Sequence, residues 1–449
     1  MKGLSLSLLL ILSALNAARG EVSVTIYNQD LALVRETRSL KFTPGVGEVR
    51  FTDVAKRIIP TSVHFESERA VLLEQNYEYD LVDAEKLLGK FIDQEIQITT
   101  RRDKRFRGQL LSAAGSDIVI RSNGSICTVA RDEITNIDFP KLPEGLITRP
   151  TLVWLVDCDQ GGAGDADISY LTHGVSWSAE YVAVTDQDDK SLEMTGWVNI
   201  DNCSGATWRD ARIKLMAGDV RVIKPRRDRG IAVPTAEVAI YRKAAAQFAE
   251  QPFYEYHLYT LQRPSTLRDN QVKQISLFPT AHVKSVEKEY RYDWHKQRGK
   301  RSKRNKVNVT LVYKNSSDNG LGIPLPKGKV RVYKQGPDGG LEFIGEDLID
   351  HTPRDETLRI ATGDAFDIVG ERSEIDVTRA GRQRKIEIKV RNHKDKPVEV
   401  VVAEHLFGDW EMLEATEGWE KKRADLVEWT VELAPSEEKT ITYTVRYQY

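Results

Sequence analysis

Four aspartates, Asp157, Asp159, Asp165 and Asp167, crowd a stretch that also holds Gly161, Gly162 and Gly164. Calcium takes about six to eight oxygen ligands from a flexible loop, and this stretch is rich in carboxylates and backbone carbonyls. It also joins two strand-like runs, 152–156 and 168–171, where Gly and Asp are the ordinary hairpin residues. The EF-hand spacing fails for lack of a glutamate at the twelfth position. No metal ligand set is assigned, and the four aspartates stand as the calcium candidate. Eight histidines are scattered, none in an H-E-x-x-H zinc pair. His173 precedes Ser176, His257 lies among tyrosines, and His405 has Glu404 and Asp409 nearby. No G-x-S-x-G elbow accompanies them, and in a strand Glu404 and His405 point to opposite faces. No catalytic residue is assigned; a hydrolase would have to assemble these histidines and the aspartates near 157–167 from distant loops.

Aromatic residues carry the sharper expectation. Phe253, Tyr254, Tyr256 and Tyr259, with Trp177 and Trp197, can offer flat faces to sugar rings or to a peptide. Aromatic strands also serve as plain cross-strand packing. Tyr254, Tyr256, Tyr259 and Trp177 are the binding candidates. Two basic runs, Arg101-Arg102-Asp103-Lys104-Arg105 and the seven Lys or Arg of 295–306, read as solvated hairpins, or as contacts for an anionic surface.

The elements that must position these residues are strands. Val22, Val24 and Ile26 alternate with small or polar residues, Val49 and Phe51 do so after Pro44-Gly45, and Ile386, Ile388 and Val390 alternate with Glu387 and Lys389. The final run sets Ile441, Tyr443, Val445, Tyr447 and Tyr449 against Thr440, Thr442, Thr444 and Arg446. Period two of this kind predicts antiparallel strands with one face on a core. The fold class is all-β and multi-domain. Residues 21–84 form a first β unit, and 85–141 a small five-stranded SH3-like barrel in which Gly108 permits a sharp bend. Residues 142–365 form a central β domain, and 366–449 an immunoglobulin-like sandwich without its cysteine pair. An Ala-rich stretch, 235–250, predicts a short surface helix or an insertion.

Composition narrows the function classes. The formal charge is -2, with both signs mixed along the chain; a dedicated nucleic-acid binder needs a strong basic excess. No cofactor motif occurs. The first residues carry Lys2, an apolar run over 4–15, then Ala17, Ala18 and Gly20. That is the layout of a secretory signal peptide, 1–20, too short to span a bilayer. The expected product is exported to the periplasm or beyond, with no transmembrane segment after cleavage and a formal charge of -4. A lipid-facing barrel is not expected, because many strands carry charges. Of three cysteines, Cys158 and Cys203 are the pair to expect in an oxidising compartment; three small buried hydrophobes are the alternative.

Several blocks carry a family resemblance. Tyr170-Leu171-Thr172, Ser176-Trp177-Ser178-Ala179-Glu180-Tyr181, Gly196-Trp197-Val198 and Leu215-Met216-Ala217-Gly218-Asp219 are joined later by Pro324-Leu325-Pro326-Lys327-Gly328 and Glu404-His405-Leu406-Phe407-Gly408-Asp409-Trp410. Together they resemble the mucoidy inhibitor A-like family, exported proteins built on domain of unknown function 4139. Longer relatives insert a coiled coil where this chain has the small barrel. The resemblance implies an exported β protein, and no activity or catalytic residue. The expected role is a non-catalytic binding or structural component of the cell envelope, with envelope polysaccharide or protein as partner.

Overall fold

The computed structural model describes residues 20–80, 83–141, 143, 147–218, 220, 247–294, 306–377 and 383–448. The chain is nearly all strand; a single α-helix, Ala84–Lys90, is found among the described residues. Residues 1–19 of the expected signal peptide lie outside them, as do most of the basic run 295–306 and residues 235–246 of the Ala-rich stretch. The end of that stretch departs from the helical reading. Phe248–Phe253 is a strand, and Phe248, opposite Leu261, is buried.

An eight-stranded sheet runs, in spatial order, Phe248–Phe253, Tyr256–Leu261, Trp208–Ala217, Val22–Tyr27, Leu31–Phe42, Gly162–Thr172 and His64–Glu66; Ser265–Leu267 adds to Trp208–Ala217 off this path. Its middle pair, Val22–Tyr27 with Trp208–Ala217, is parallel, and so are Val175–Thr185 with Gly328–Gln335 and Glu287–Asp293 with Val398–His405. The other strand pairs are antiparallel, as the alternation predicts; the three parallel junctions each join segments far apart in sequence.

One core unites most of these strands. Val24, Ile26, Val34, Ile168, Tyr170, Ile213 and Leu215 from the eight-stranded sheet pack with Phe51, Leu152 and Trp154 from a three-stranded sheet and with Ala179, Tyr181, Val198 and Val332 from a central five-stranded sheet. The first β unit thus shares its core with the chain beyond residue 147. Trp154 is fully buried, its ring 5.4 Å from Phe51 and 4.8 Å from Phe65, with Nε1 donating to Gln75 Oε1 at 3.0 Å.

Residues 95–138 form a separate five-stranded antiparallel sheet around Phe91, Ile96, Ile98, Leu110 and Ile120. A Cβ on Gly108 would lie 2.2 Å from the Arg121 carbonyl oxygen, so close strand approach, rather than a bend alone, requires glycine there. A nine-stranded sheet closes the chain. Its longest strand, Thr357–Val377, pairs first with Lys306–Lys314 and then with Gln383–Asn392. Its core includes Tyr292 and Val307 as well as Ile386, Ile388, Val390, Ile441, Tyr443 and Val445, so strands before residue 366 belong to it. Tyr449 lies outside the described residues.

Candidate functional site

The outer face of the eight-stranded sheet, opposite the core, forms a groove of about 630 Å³. Period two assigns its floor: Ser23, Thr25 and Tyr27 turn outward because Val24 and Ile26 turn in. Register then sets the rows. Met216 stands between Tyr27 and Leu258, Thr25 between Lys214 and Leu33, and Ser23 between Arg212 and Arg35. Across the next strands Arg35 faces Ser169, which faces His64, while Thr37 faces Asp167, which faces Glu66. The floor therefore grades from apolar through cationic to hydroxyl and carboxylate.

Within that floor, Arg212 is paired with Glu21, Glu36 is turned to Arg38, and Thr37 Oγ1 donates to Asp167 at 2.5 Å. Arg35, exposed, and Lys214, half-buried, have no hydrogen-bond or ion-pair partner among the described residues. The same face also carries the carboxylates of Asp167, held by the neutral Thr37 hydroxyl, and of Glu66, 3.8 Å from His64, so cations and carboxylates share it.

The apolar end of the groove is bordered by the hairpin Phe253-Tyr254-Glu255-Tyr256. Phe253 and Tyr256 are directly opposed across it, Phe253 is 52% exposed and lines the groove, and Tyr254 is 85% exposed at the turn. The Tyr254 and Tyr256 rings lie 6.0 Å apart. Gly218 lets the Tyr256 ring close in, since a Cβ there would lie 2.2 Å from Tyr256 Cδ1. Tyr254 itself has φ +57°. Two-residue hairpins place Gly, Asn or Asp at such a position; a bulky side chain there is an outlier, and outliers of this kind concentrate at functional sites.

The aromatic candidates divide accordingly. Tyr254 and Tyr256 are at the surface, whereas Trp177 and Tyr259 are core residues, each 4% exposed, with rings 6.4 Å apart. Trp177 Nε1 donates to the Met216 carbonyl at 3.3 Å, and the Tyr259 hydroxyl donates to the Pro324 carbonyl at 3.1 Å. Burial pushes the Tyr259 hydroxyl pKa up, and nearby Glu250 adds to it. These two rings present no face to a ligand.

Asp157, Asp159, Asp165 and Asp167 are exposed and divided between two strands and their connection. Among the described residues no group of three or more His, Cys, Asp or Glu side chains is placed to hold a metal ion. Cys158 and Cys203 are not joined. Cys158 is buried in the three-stranded sheet, its thiol donating to the Gln160 carbonyl at 3.1 Å, while Cys203 is exposed after the strand Leu192–Asn202.

The three histidines keep different company. His173 Nδ1 is 2.9 Å from the Asp30 carbonyl, and His257 Nδ1 is 2.7 Å from Glu250 Oε1. His405 stands between Asp293, at 3.4 Å, and Asp425, at 3.8 Å. Glu404 turns instead into the nine-stranded sheet, where Arg372 Nε donates to both its oxygens and the Tyr443 hydroxyl to one. Opposite faces of the strand thus separate Glu404 from His405, and the exposed Asp409 lies on another strand. In the small five-stranded sheet, Arg101 through Arg105 form a hairpin turn, with Lys104 Nζ 4.8 Å from the Phe106 ring centre.

Sequence reasoning missed Arg35, Lys214 and the groove itself. A signal for the hairpin was present: tyrosine stands where a tight turn asks for glycine.

The fold is that of an all-β protein of several sheets with a concave sheet face. The chain matches the family model of a domain of unknown function (DUF4139) over residues 166–449, and it belongs to that family. No curated protein matches it. The match begins within the strand Gly162–Thr172, so the groove is built jointly by family residues (Ser169, Lys214, Met216, Leu258) and by Ser23, Thr25, Arg35 and Thr37 from before it.

Proposed function

We propose that this protein is an exported component of the cell envelope that binds an envelope polysaccharide along the outer face of the eight-stranded sheet, and acts by binding rather than by catalysis. The observation that carries the reading is Tyr254, a bulky ring held at positive φ, almost fully exposed, on a hairpin that borders the groove. Holding a bulky residue in the left-handed region carries local backbone strain, and an aromatic face for a sugar ring is a sufficient reason for it. The groove floor supplies hydroxyls and carboxylates that hydrogen-bond ring hydroxyls. Export, to the periplasm or beyond, rests on the first twenty residues and on the likeness to mucoidy inhibitor A-like proteins.

Two experiments test this. Fractionation of expressing cells, with N-terminal sequencing of the product, should find the chain outside the cytoplasm and cut near Gly20; an uncut cytoplasmic product rejects export. Polysaccharide extracted from the envelope should be retained by the immobilised wild type and lost from a Tyr254→Ala, Tyr256→Ala double variant. Equal retention by both proteins rejects the groove as the binding face.

A further inference from the structure

Between the strands Val71–Glu78 and Thr151–Cys158 the chain inserts the small five-stranded sheet and its helix. Glu78 and Thr151 pair with each other in the three-stranded sheet, so the insertion leaves that sheet and returns to it at one point. It packs around its own core, which includes Leu88, Phe91, Ile96, Ile98 and Leu110, and among the described residues none of its strands pairs with a strand outside it. The other sheets take no core from it, so what it contributes lies on its surface. We propose that this insertion docks the protein on an anionic phospholipid bilayer through the hairpin turn Arg101-Arg102-Asp103-Lys104-Arg105. The turn shares no residue with the saccharide groove, and the proposal does not rest on that reading.

The turn is tight: Thr100 N–H donates to the Lys104 carbonyl at 3.0 Å and Asp103 N–H to the Thr100 carbonyl at 2.9 Å. Asp103 has φ +57°, a conformation that aspartate tolerates better than most residues, so the turn itself accounts for it. The four cations around it have no such local reason, and like charges held so close repel. Arg101, Arg102, Lys104 and Arg105 are all exposed, and none has an ion pair among the described residues. Elsewhere on the insertion cations are held: Arg107 and Arg131 each lie 2.5 Å from a carboxylate, of Glu95 and Glu85, and Lys86 lies 3.0 Å from Asp80. Glu133 joins Asp103 beside the turn, its carbonyl accepting from Arg101 N–H at 2.8 Å, and the four cations outnumber these two carboxylates. Three of the four are arginines, whose planar guanidinium takes two phosphate oxygens at once. The cavity of about 380 Å³ on the insertion is lined by Leu88, Ile118, Ile134, Ile137 and Phe139 and by no residue of this turn. A free phosphate compound calls for an enclosing site; a convex cationic turn fits an extended layer of headgroup phosphates. The whole chain carries a formal charge of only -2, so the attraction is local to the turn.

The test is co-sedimentation of the full chain with vesicles of phosphatidylcholine alone and of phosphatidylcholine mixed with phosphatidylglycerol. Each net charge near an anionic surface is worth roughly fivefold in partition, so four cations less two carboxylates favour the mixed vesicles by about 25-fold. Ionic strength near 1 M, where the Debye length is about 3 Å, should abolish that preference. So should the quadruple variant Arg101→Gln, Arg102→Gln, Lys104→Gln, Arg105→Gln, once circular dichroism has shown it folded. Asp103→Asn, which tolerates the same φ, should strengthen the preference about fivefold. If the quadruple variant does not fold, that gain decides, and its absence overturns the proposal. The Tyr254→Ala, Tyr256→Ala double variant should bind vesicles as the wild type does; loss of the preference there moves docking to the groove and overturns the hairpin. Equal partition of the wild type on both vesicles, or a folded quadruple variant that keeps the preference, overturns it too. Binding of inorganic polyphosphate without binding of vesicles also overturns it, by making the turn a site for a soluble polyanion. Each of these failures leaves the saccharide reading standing.

Discussion

Replacing Tyr254 by glycine should separate stability from binding. Holding a non-glycine residue in the left-handed region costs about 1–2 kcal/mol, and at φ +57° Tyr254 bears that cost. Glycine removes it, adds about 0.5–1 kcal/mol of backbone entropy loss, and forfeits the contact with Tyr256, about 0.5 kcal/mol for so exposed a ring. These effects nearly cancel. The variant should lie within about 1 kcal/mol of the wild type in urea unfolding followed by far-ultraviolet circular dichroism. Binding should behave differently, since truncating an aromatic anchor costs about 2 kcal/mol, roughly thirtyfold in Kd. A Tyr254→Asn variant, tolerant of the same φ, should show the same split. A fall in unfolding midpoint equivalent to more than about 2 kcal/mol, with envelope polysaccharide still retained, would refute the reasoning. It would show that the ring serves the fold.

Trp154→Ala empties the middle of the shared core and strands the Gln75 amide oxygen; a loss of about 3–5 kcal/mol is expected in the same unfolding assay. Arg372→Met leaves the Glu404 carboxylate, 4% exposed, without its cation, and should cost about 3–5 kcal/mol, much of it restored by adding Glu404→Met. Burial raises the hydroxyl pKa of Tyr170, Tyr181, Tyr259, Tyr292, Tyr313 and Tyr443 above the ordinary phenol value. Their neutral forms favour the folded chain, so this contribution is complete below pH 10 or so. It is lost as pH climbs past the unfolded value toward the folded one, at about 1.4 kcal/mol per unit for each group. Tyrosinate absorbance from these residues should rise together with loss of the native dichroism signal; a rise near pH 10 with the fold intact would contradict the burial argument.

The strands were legible because their signal is local. Val22, Val24 and Ile26 announce their own inward face, and the strands of the small sheet, Glu95–Thr100 through Ile134–Asp138, fall within a residue or so of where turn residues bracket them. What alternation does not say is which neighbour a strand will have. Trp177 and Tyr259 read as aromatic faces for a ligand, yet each lies on the inner side of a sheet whose partner sheet comes from elsewhere in the chain. Arg35 and Lys214 drew no notice for the same reason. They become a pair only through the parallel pairing of Val22–Tyr27 with Trp208–Ala217, a contact between distant segments. Tyr254 is the instructive case: it reads as part of an aromatic strand, and the fold places it instead at a hairpin turn with positive φ.

The position of Val22–Tyr27 bears on how the molecule is made. It leaves the ribosome before any other strand, yet it sits inside the eight-stranded sheet, with Trp208–Ala217 on one side and Leu31–Phe42 on the other. One partner follows at once as a hairpin; the other arrives only after the three-stranded sheet, the small sheet and two of the five strands of the central sheet have been synthesised. Until then an open strand edge waits unpaired, the most aggregation-prone condition for a β-chain. The eight-stranded sheet is complete only once that far strand has docked. The same delay makes it dependent on whatever shields that edge until the far strand docks.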